Sequence, residues 1–226
     1  MDYQPLENEN LIPEKIPRPY APALVRLGNQ KSELSKSDLK EQSIASFNAG
    51  IALEDKGKYK EALLAYSIAT ASDPTNAKAW VNRSNVKRTL GDLKGALEDA
   101  QEAVKLDPKD ALAFHSKAQT LIAQKKYSEA ILELDRGIAI RGDILAQLYQ
   151  ARGHANAKAG RLELAVADTK KAMELDPNEE ELYCNLAIFY ARQGNNEAMF
   201  QIEKAHKLAP EAPCVKELWA KMKSAN

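Results

Sequence analysis

Apolar and polar positions follow a helical period along most of this chain. The stretch KYKEALLAYSIATASD (58–73) combines that period with strong helix formers and predicts a helix, and AWVNRSNVKRTL (79–90) predicts another. At the C-terminal end, EAPCVKELWAKMKSAN (211–226) sets Val215, Leu218, Trp219 and Met222 on one helical face, with Lys216, Glu217 and Lys221 elsewhere. No run of 18 apolar residues occurs, so no transmembrane helix is expected.

What punctuates these segments is periodic. Pro74 and Pro108 are 34 residues apart, Pro108 and Pro177 are 69 apart (34 and 35), and Pro177 and Pro210 are 33 apart, with Gly142 standing at the missing beat. Gly57, Gly91, Gly160 and Gly194 keep the same interval, with Lys125 in the third slot. Small residues recur with them: Ala62, Ala96, Ala130, Ala165 and Ala198, then Ala69, Ala103, Gly137, Ala172 and Ala205. Each unit therefore reads as helix, Gly turn, helix, Pro-marked turn. Glycine suits the left-handed position that ends a helix, proline cannot continue one, and Asn76, Asp110 and Asn178 follow as N-cap candidates. A fixed period of this length signals stacked repeats in which small residues permit close helix approach and aromatics fill the gaps.

In frames opening at Ser43, Ala77, Ala111, Ala146 and Glu180, the fourth position is Ser46, Trp80, Phe114, Tyr149 and Tyr183. The eighth is Gly50, Ser84, Ala118, Gly153 and Ala187, and the seventeenth is Tyr59, Leu93, Tyr127, Leu162 and Asn196. This pattern resembles the tetratricopeptide repeat (TPR) family from Ser43 to about Pro210. The resemblance implies an all-α, right-handed α-α superhelix, a solenoid of five helix-turn-helix repeats (43–76, 77–110, 111–145, 146–179 and 180–210) closed by a capping helix over 211–226. Local departures are expected to make the stack irregular: repeat three lacks its Pro and carries Gly137 and Gly142, repeat four starts one residue late, and repeat five is one short with Asn195 and Asn196. Residues 1–42 hold five of the ten prolines and are expected to be largely extended or disordered, although KSELSKSDLKEQS (31–43) can open the first helix early. Within that head, IPRPYAPALVRL (16–27) is either a docking strand or a floppy leader.

Composition narrows the function. The 226 residues carry 32 Lys+Arg and 32 Asp+Glu, so no global field draws the protein to nucleic acid or an anionic membrane, and neither is expected as a partner. The start lacks the basic and apolar regions of a secretory signal, and two cysteines, Cys184 and Cys214, make no disulfide framework. A cytoplasmic location is expected. None of the HExxH, GxxxxGK[ST], GxGxxG or GxSxG patterns is present. His115 and His154 fall on first helices of neighbouring repeats without an evident third ligand, and Cys184 has no assignable base. No enzyme activity, metal or other cofactor is expected.

Binding is the stronger reading. In the family, the second, fifth, sixth, ninth, twelfth and thirteenth positions of the first helices face a concave groove. The resemblance implies that Asn48, Lys78, Asn82, Asn85, Arg88, His115, Gln119, Gln150, His154, Asn185 and Arg192 face it here, with Phe47, Ser116, Ile122, Gln147, Glu181 and Cys184 at further groove positions. The set is rich in amides, and an amide side chain can pair with both C=O and N–H of an extended peptide. The partner is therefore expected to be a protein or peptide held by an adaptor or assembly factor. A structural subunit using convex or end surfaces is the competing reading. The family's carboxylate clamp for chaperone tails matches poorly. Its five positions read Phe47, Ile51, Asn82, Leu112 and Ser116 from repeat one, or Val81, Asn85, Ser116, Gln147 and Ala151 from repeat two, one match each.

Overall fold

The computed structural model describes residues 35–224, with side chains as far as residue 221. The proline cluster, the 16–27 segment and the Met222 side chain lie outside the described residues. Eleven helices and no strand occur among the described residues. The chain divides into two compact units, one ending at Ala79 and one beginning at Trp80.

In the N-terminal unit, α1 (Lys36–Glu54) and α2 (Tyr59–Ser72) form a hairpin followed by the first turn of α3 (Ala77–Thr89). The α1 helix starts upstream of Ser43, within the serine-rich stretch, because Ser35 and Asp38 make a reciprocal capping box. Asp38 N donates to Ser35 Oγ at 3.2 Å, and Ser35 N donates to Asp38 Oδ2 at 3.1 Å. The two helices close on Gly50, where an added Cβ would stand 2.4 Å from the Tyr66 ring. Phe47 turns to that same ring, with centroids 5.9 Å apart. The Ser43 hydroxyl donates to Ala69 O at 2.9 Å, tying the hairpin together.

The second unit holds the rest of α3, then α4 (Leu93–Leu106), α5 (Ala111–Ala123), α6 (Tyr127–Ile140), α7 (Leu145–Lys158), α8 (Leu162–Leu175), α9 (Glu180–Arg192), α10 (Glu197–Leu208) and α11 (Pro213–Ser224). From α4 onward each helix packs on the next. Turns inside the hairpins share one conformation: φ is +68° at Gly57, +88° at Gly91, +80° at Gly160 and +69° at Gly194, and Lys125 adopts +62° in the third slot. Turns between hairpins share another device, an Asp before the Pro. The Asp73 carboxylate accepts from Thr75 N at 3.0 Å and Asp107 from Lys109 N at 3.0 Å. Asn76 and Asp110 cap as expected, accepting from Ala79 N at 3.2 Å and Leu112 N at 2.9 Å. Asn178 does not. The chain enters α9 through Glu179, which makes no side-chain cap. Where repeat three lacks its Pro, Arg141 ends α6 in the left-handed region at φ 56°. The short fifth repeat shows in α10, which has 12 residues where α8 has 14.

Three hairpins are also fastened by charge. Arg83 holds Asp99 through Nε and Nη2 at 2.8 Å each, Lys117 holds Glu133 at 2.9 Å, and Arg152 holds Asp168 at 2.6 Å. Each cation is the seventh residue of its frame and each acid the twenty-third. In the first repeat those positions are Ala49 and Ala65, and in the fifth they are the buried Leu186 and Ile202. An ion pair and an apolar pair thus alternate as solutions to one packing site.

The C-terminal helix covers the end of the unit as its apolar face predicts. Val215 enters a cluster with Cys184, Ala187, Ile202 and Ala205, and Leu218 and Trp219 pack at its edge. Trp219 stacks on His206 with centroids 4.6 Å apart.

Candidate binding groove

Because the repeat holds equivalent side chains at equivalent helical positions, the first helices α5, α7 and α9 present one row each to a common concavity. It has a volume of about 340 Å³. From α5 come His115, Gln119 and Ile122, from α7 Gln147, Gln150, Ala151 and His154, and from α9 Glu181 and Asn185. The structure therefore brings His115, Gln119, Gln150, His154 and Asn185 together from three successive repeats. Neither Lys nor Arg lines the cavity, and Glu181 is its single formal charge.

Its histidines are held neutral. Burial pushes His115 down to about 4, helped by the nearby Arg88 charge. The neutral ring lies 3.2 Å from the Gln119 amide, one turn further along α5. Burial also lowers His154, aided by Lys158 and opposed by Glu181. With four amides beside two neutral imidazoles, the wall offers alternating donors and acceptors and little charge.

Asn82, Asn85 and Arg88 lie on α3, one repeat earlier in the same unit, and do not line this cavity. The Ser116 hydroxyl donates to Asn85 Oδ1 at 2.9 Å, so Asn85 fastens α3 to α5. Asn82 is half-buried on α3. Arg88 is half-buried too. Its Nε has no hydrogen-bond partner among the described residues, and burial lowers its pKa. Asn48 and Lys78 are exposed in the N-terminal unit and do not line this cavity. Arg192 turns back to the end of α7, where Nη1 donates to Ala157 O at 3.5 Å. Two further groove positions are internal instead. Ser116 is 1% exposed, and Cys184, also 1% exposed, faces the capping helix. Ala151 lines the cavity although its small side chain gave no reason to single it out, and its place as sixth residue of its frame is the signal that marks it.

Among the described residues, no three His, Cys, Asp or Glu side chains are grouped to hold a metal ion, and no helix is long and apolar enough to cross a membrane.

The comparisons agree with this architecture. The tetratricopeptide repeat family model matches residues 33–77, 47–111 and 81–143, and a further TPR repeat model matches 153–194. DnaJ homolog subfamily C member 3 of Mus musculus is 35% identical over 91 residues, covering 40% of this chain and 18% of that protein. Hsp70-Hsp90 organizing protein 2 of Arabidopsis thaliana is 26% identical over 115 residues, covering 48% of this chain and 20% of that protein. The chain thus spans about a fifth of the length of these curated relatives. Among solved structures, a thermophilic TPR protein of Thermus thermophilus superposes with TM-score 0.69 at 22% identity, covering 79% of this chain and 97% of its own. YrrB, described as a TPR protein with an unusual peptide-binding site, superposes with TM-score 0.60 at 21% identity, covering 84% of this chain and 98% of its own. The chain belongs to the tetratricopeptide repeat family, an all-α superhelical repeat fold that serves as a protein-interaction module.

Proposed function

We propose that the groove of α5, α7 and α9 binds an extended segment of a partner protein without catalysing a reaction, and that the protein works as an adaptor or assembly factor. One observation carries this reading: three successive first helices converge on a single cavity lined by Gln119, Gln147, Gln150 and Asn185. An extended peptide leaves its N–H and C=O groups unpaired, and a buried amide that meets both avoids the cost of stranding either. The lining also argues against a terminal carboxylate as the main ligand group, because pairing a carboxylate takes cations and the cavity wall has none.

A random peptide library displayed on phage, panned on the whole chain, tests the proposal. Recovered peptides, resynthesised, should bind at least about tenfold more weakly to the Gln119→Ala/Gln150→Ala/Asn185→Ala variant, which removes three hydrogen-bonding side chains at about 0.5–1.5 kcal/mol each. Unchanged affinity for every recovered peptide, with the helical circular dichroism intact, sinks the groove reading.

A structural role has its own support. Leu132 (60% exposed), Leu164 (52%) and Phe200 (52%) lie on the second helices α6, α8 and α10, away from the groove. If that role dominates, charging these three residues abolishes incorporation into a complex while the groove variant leaves it intact.

A further inference from the structure

Cys184 and Cys214 stand 30 positions apart in sequence and 2.9 Å apart in space, Sγ to Sγ, and both are free thiols. Cys184 lies on α9, one residue before the groove-lining Asn185, and is 1% exposed. Cys214 lies in the first turn of α11 and is half-buried. Their surroundings hold them in place, because Val215, Ala187, Ile202 and Ala205 form one buried cluster around Cys184 and the Trp219–His206 stack secures the same face of α11. A disulfide needs its sulfurs about 2.05 Å apart, so the two side chains have less than about 1 Å to travel. The packing of the cluster requires only that Cys184 be small and apolar and asks nothing of a thiol at Cys214.

We infer that Cys184 and Cys214 are a reversible dithiol–disulfide pair that staples the capping helix α11 to the groove helix α9. Burial, then the hydrogen bond to Cys214, pushes the Cys184 thiol up, so it stays protonated and inert at rest. Cys214, the more accessible sulfur, meets the oxidant first. With hydrogen peroxide as the oxidant, the Cys214 sulfur attacks one peroxide oxygen, the O–O bond breaks, and Cys214 sulfenic acid and one water form. The Cys184 sulfur then attacks the sulfenic sulfur, the S–S bond forms, and its proton leaves with the hydroxyl as a second water. Two thiols are oxidised and one peroxide is reduced to two waters. A small dithiol reverses the reaction by thiol–disulfide exchange. The consequence is local. Among the described residues α11 is held by one face, so a covalent link to α9 suppresses its local opening.

The whole chain, treated with a small excess of hydrogen peroxide and then denatured without reductant, should lose both titratable thiols and about 2 Da of mass. An unreduced digest should contain Cys184 and Cys214 in one linked peptide, and dithiothreitol should restore both thiols. Tryptic cleavage at Lys216 and Lys221 in α11 should slow about tenfold or more on oxidation. Cys214→Ser, which keeps the fold because the site is at the edge of the cluster, should show neither the linked peptide nor the protection. Persistence of two thiols, oxygen atoms added to Cys214 with Cys184 still reduced, linkage between two molecules, or equal cleavage rates in the two states each overturn the inference.

Discussion

The fifth repeat suggests a direct test of what the buried ion pairs contribute. Asp168 is 6% exposed and takes Arg152 Nη2 at 2.6 Å, Arg152 Nε at about 3.1 Å and Asn156 Nδ2 at 2.9 Å. Arg152→Leu leaves that carboxylate buried beside Asn156 without its counter-ion, at a cost of about 3–5 kcal/mol. Asp168→Ile strands a guanidinium that keeps the Asp135 contact, and because Asp135 is half exposed the cost falls near the lower end, about 3 kcal/mol. Additive losses would sum to about 6–8 kcal/mol. The same two positions of repeat five are Leu186 and Ile202, buried at 2% and 0%. Installing both residues in repeat four removes both charges together, and the remaining losses are the Arg152 contact of the half-exposed Asp135 and Asn156, whose Oδ1 already lacks a partner and whose amide nitrogen then loses Asp168. They amount to about 1–2 kcal/mol. The double variant should therefore be more stable than either single, with a coupling energy of about 5 kcal/mol. Urea unfolding of the four proteins by far-UV circular dichroism gives the ranking, and amide exchange in α7 and α8 localises it. A double variant as unstable as the two singles added together refutes the reasoning, and so do singles that each cost under about 1 kcal/mol.

Other predictions follow from single positions. Lys125→Gly should raise stability by about 0.5–1 kcal/mol in urea unfolding, because Lys125 sits at φ +62° where the other hairpin turns use glycine. Gly50→Ala should cost about 1–3 kcal/mol, seen as a lower thermal midpoint, since its Cβ would stand 2.4 Å from a fully buried Tyr66 ring. For His115 the folded value lies below the ordinary 6.5, near 4, so folding favours the neutral ring. Its contribution is complete above about pH 6.5 and is lost as pH falls toward 4, by at most about 3 kcal/mol, and His115→Gln should flatten a stability–pH curve over that window. Peptide affinity for the groove should change less than about threefold between about 50 and 500 mM salt, measured by calorimetry, whereas recognition built on exposed charge pairs would weaken more.

The hairpins were legible because their punctuation is a backbone requirement. A left-handed turn residue and a helix-stopping proline must recur wherever the hairpin recurs, so an interval in Gly and Pro marks the fold, and even Lys125 could be assigned to its slot before its φ was known. Groove positions were legible for a related reason. The frame fixes which face of a first helix a position occupies: His115, Gln119, Gln150, His154 and Asn185 line one cavity, while Asn48, Lys78, Asn82, Asn85, Arg88 and Arg192 do not line it. What the frame cannot fix is what a side chain meets when it gets there. Ser116 and Cys184 occupy groove positions yet turn inward, one to Asn85 and the other to Cys214. Asn178 lost its expected role to a one-residue shift of the chain into α9. The charge pairs were hidden for a different reason: their partners are separated by a turn, so neither the helical period nor the i,i+4 spacing connects them.

The groove carries little charge in a chain rich in it. Charged residues make up 28% of the sequence and cancel to zero. In the second unit, the seventh positions commit Arg83, Lys117 and Arg152 to acids on the following helices, on the side of each first helix that packs within its own hairpin. The opposite side is left to amides, Glu181 and two histidines whose basicity burial lowers. An exposed charge would attract many ligands weakly and with strong dependence on salt. As a peptide site, a wall of donors and acceptors with little charge would discriminate by whether each of its own groups is met, since an amide buried by the ligand and left unpaired costs about 1–3 kcal/mol. In the proposed binding role, selectivity would come from penalising a segment that leaves the groove's own amides unpaired.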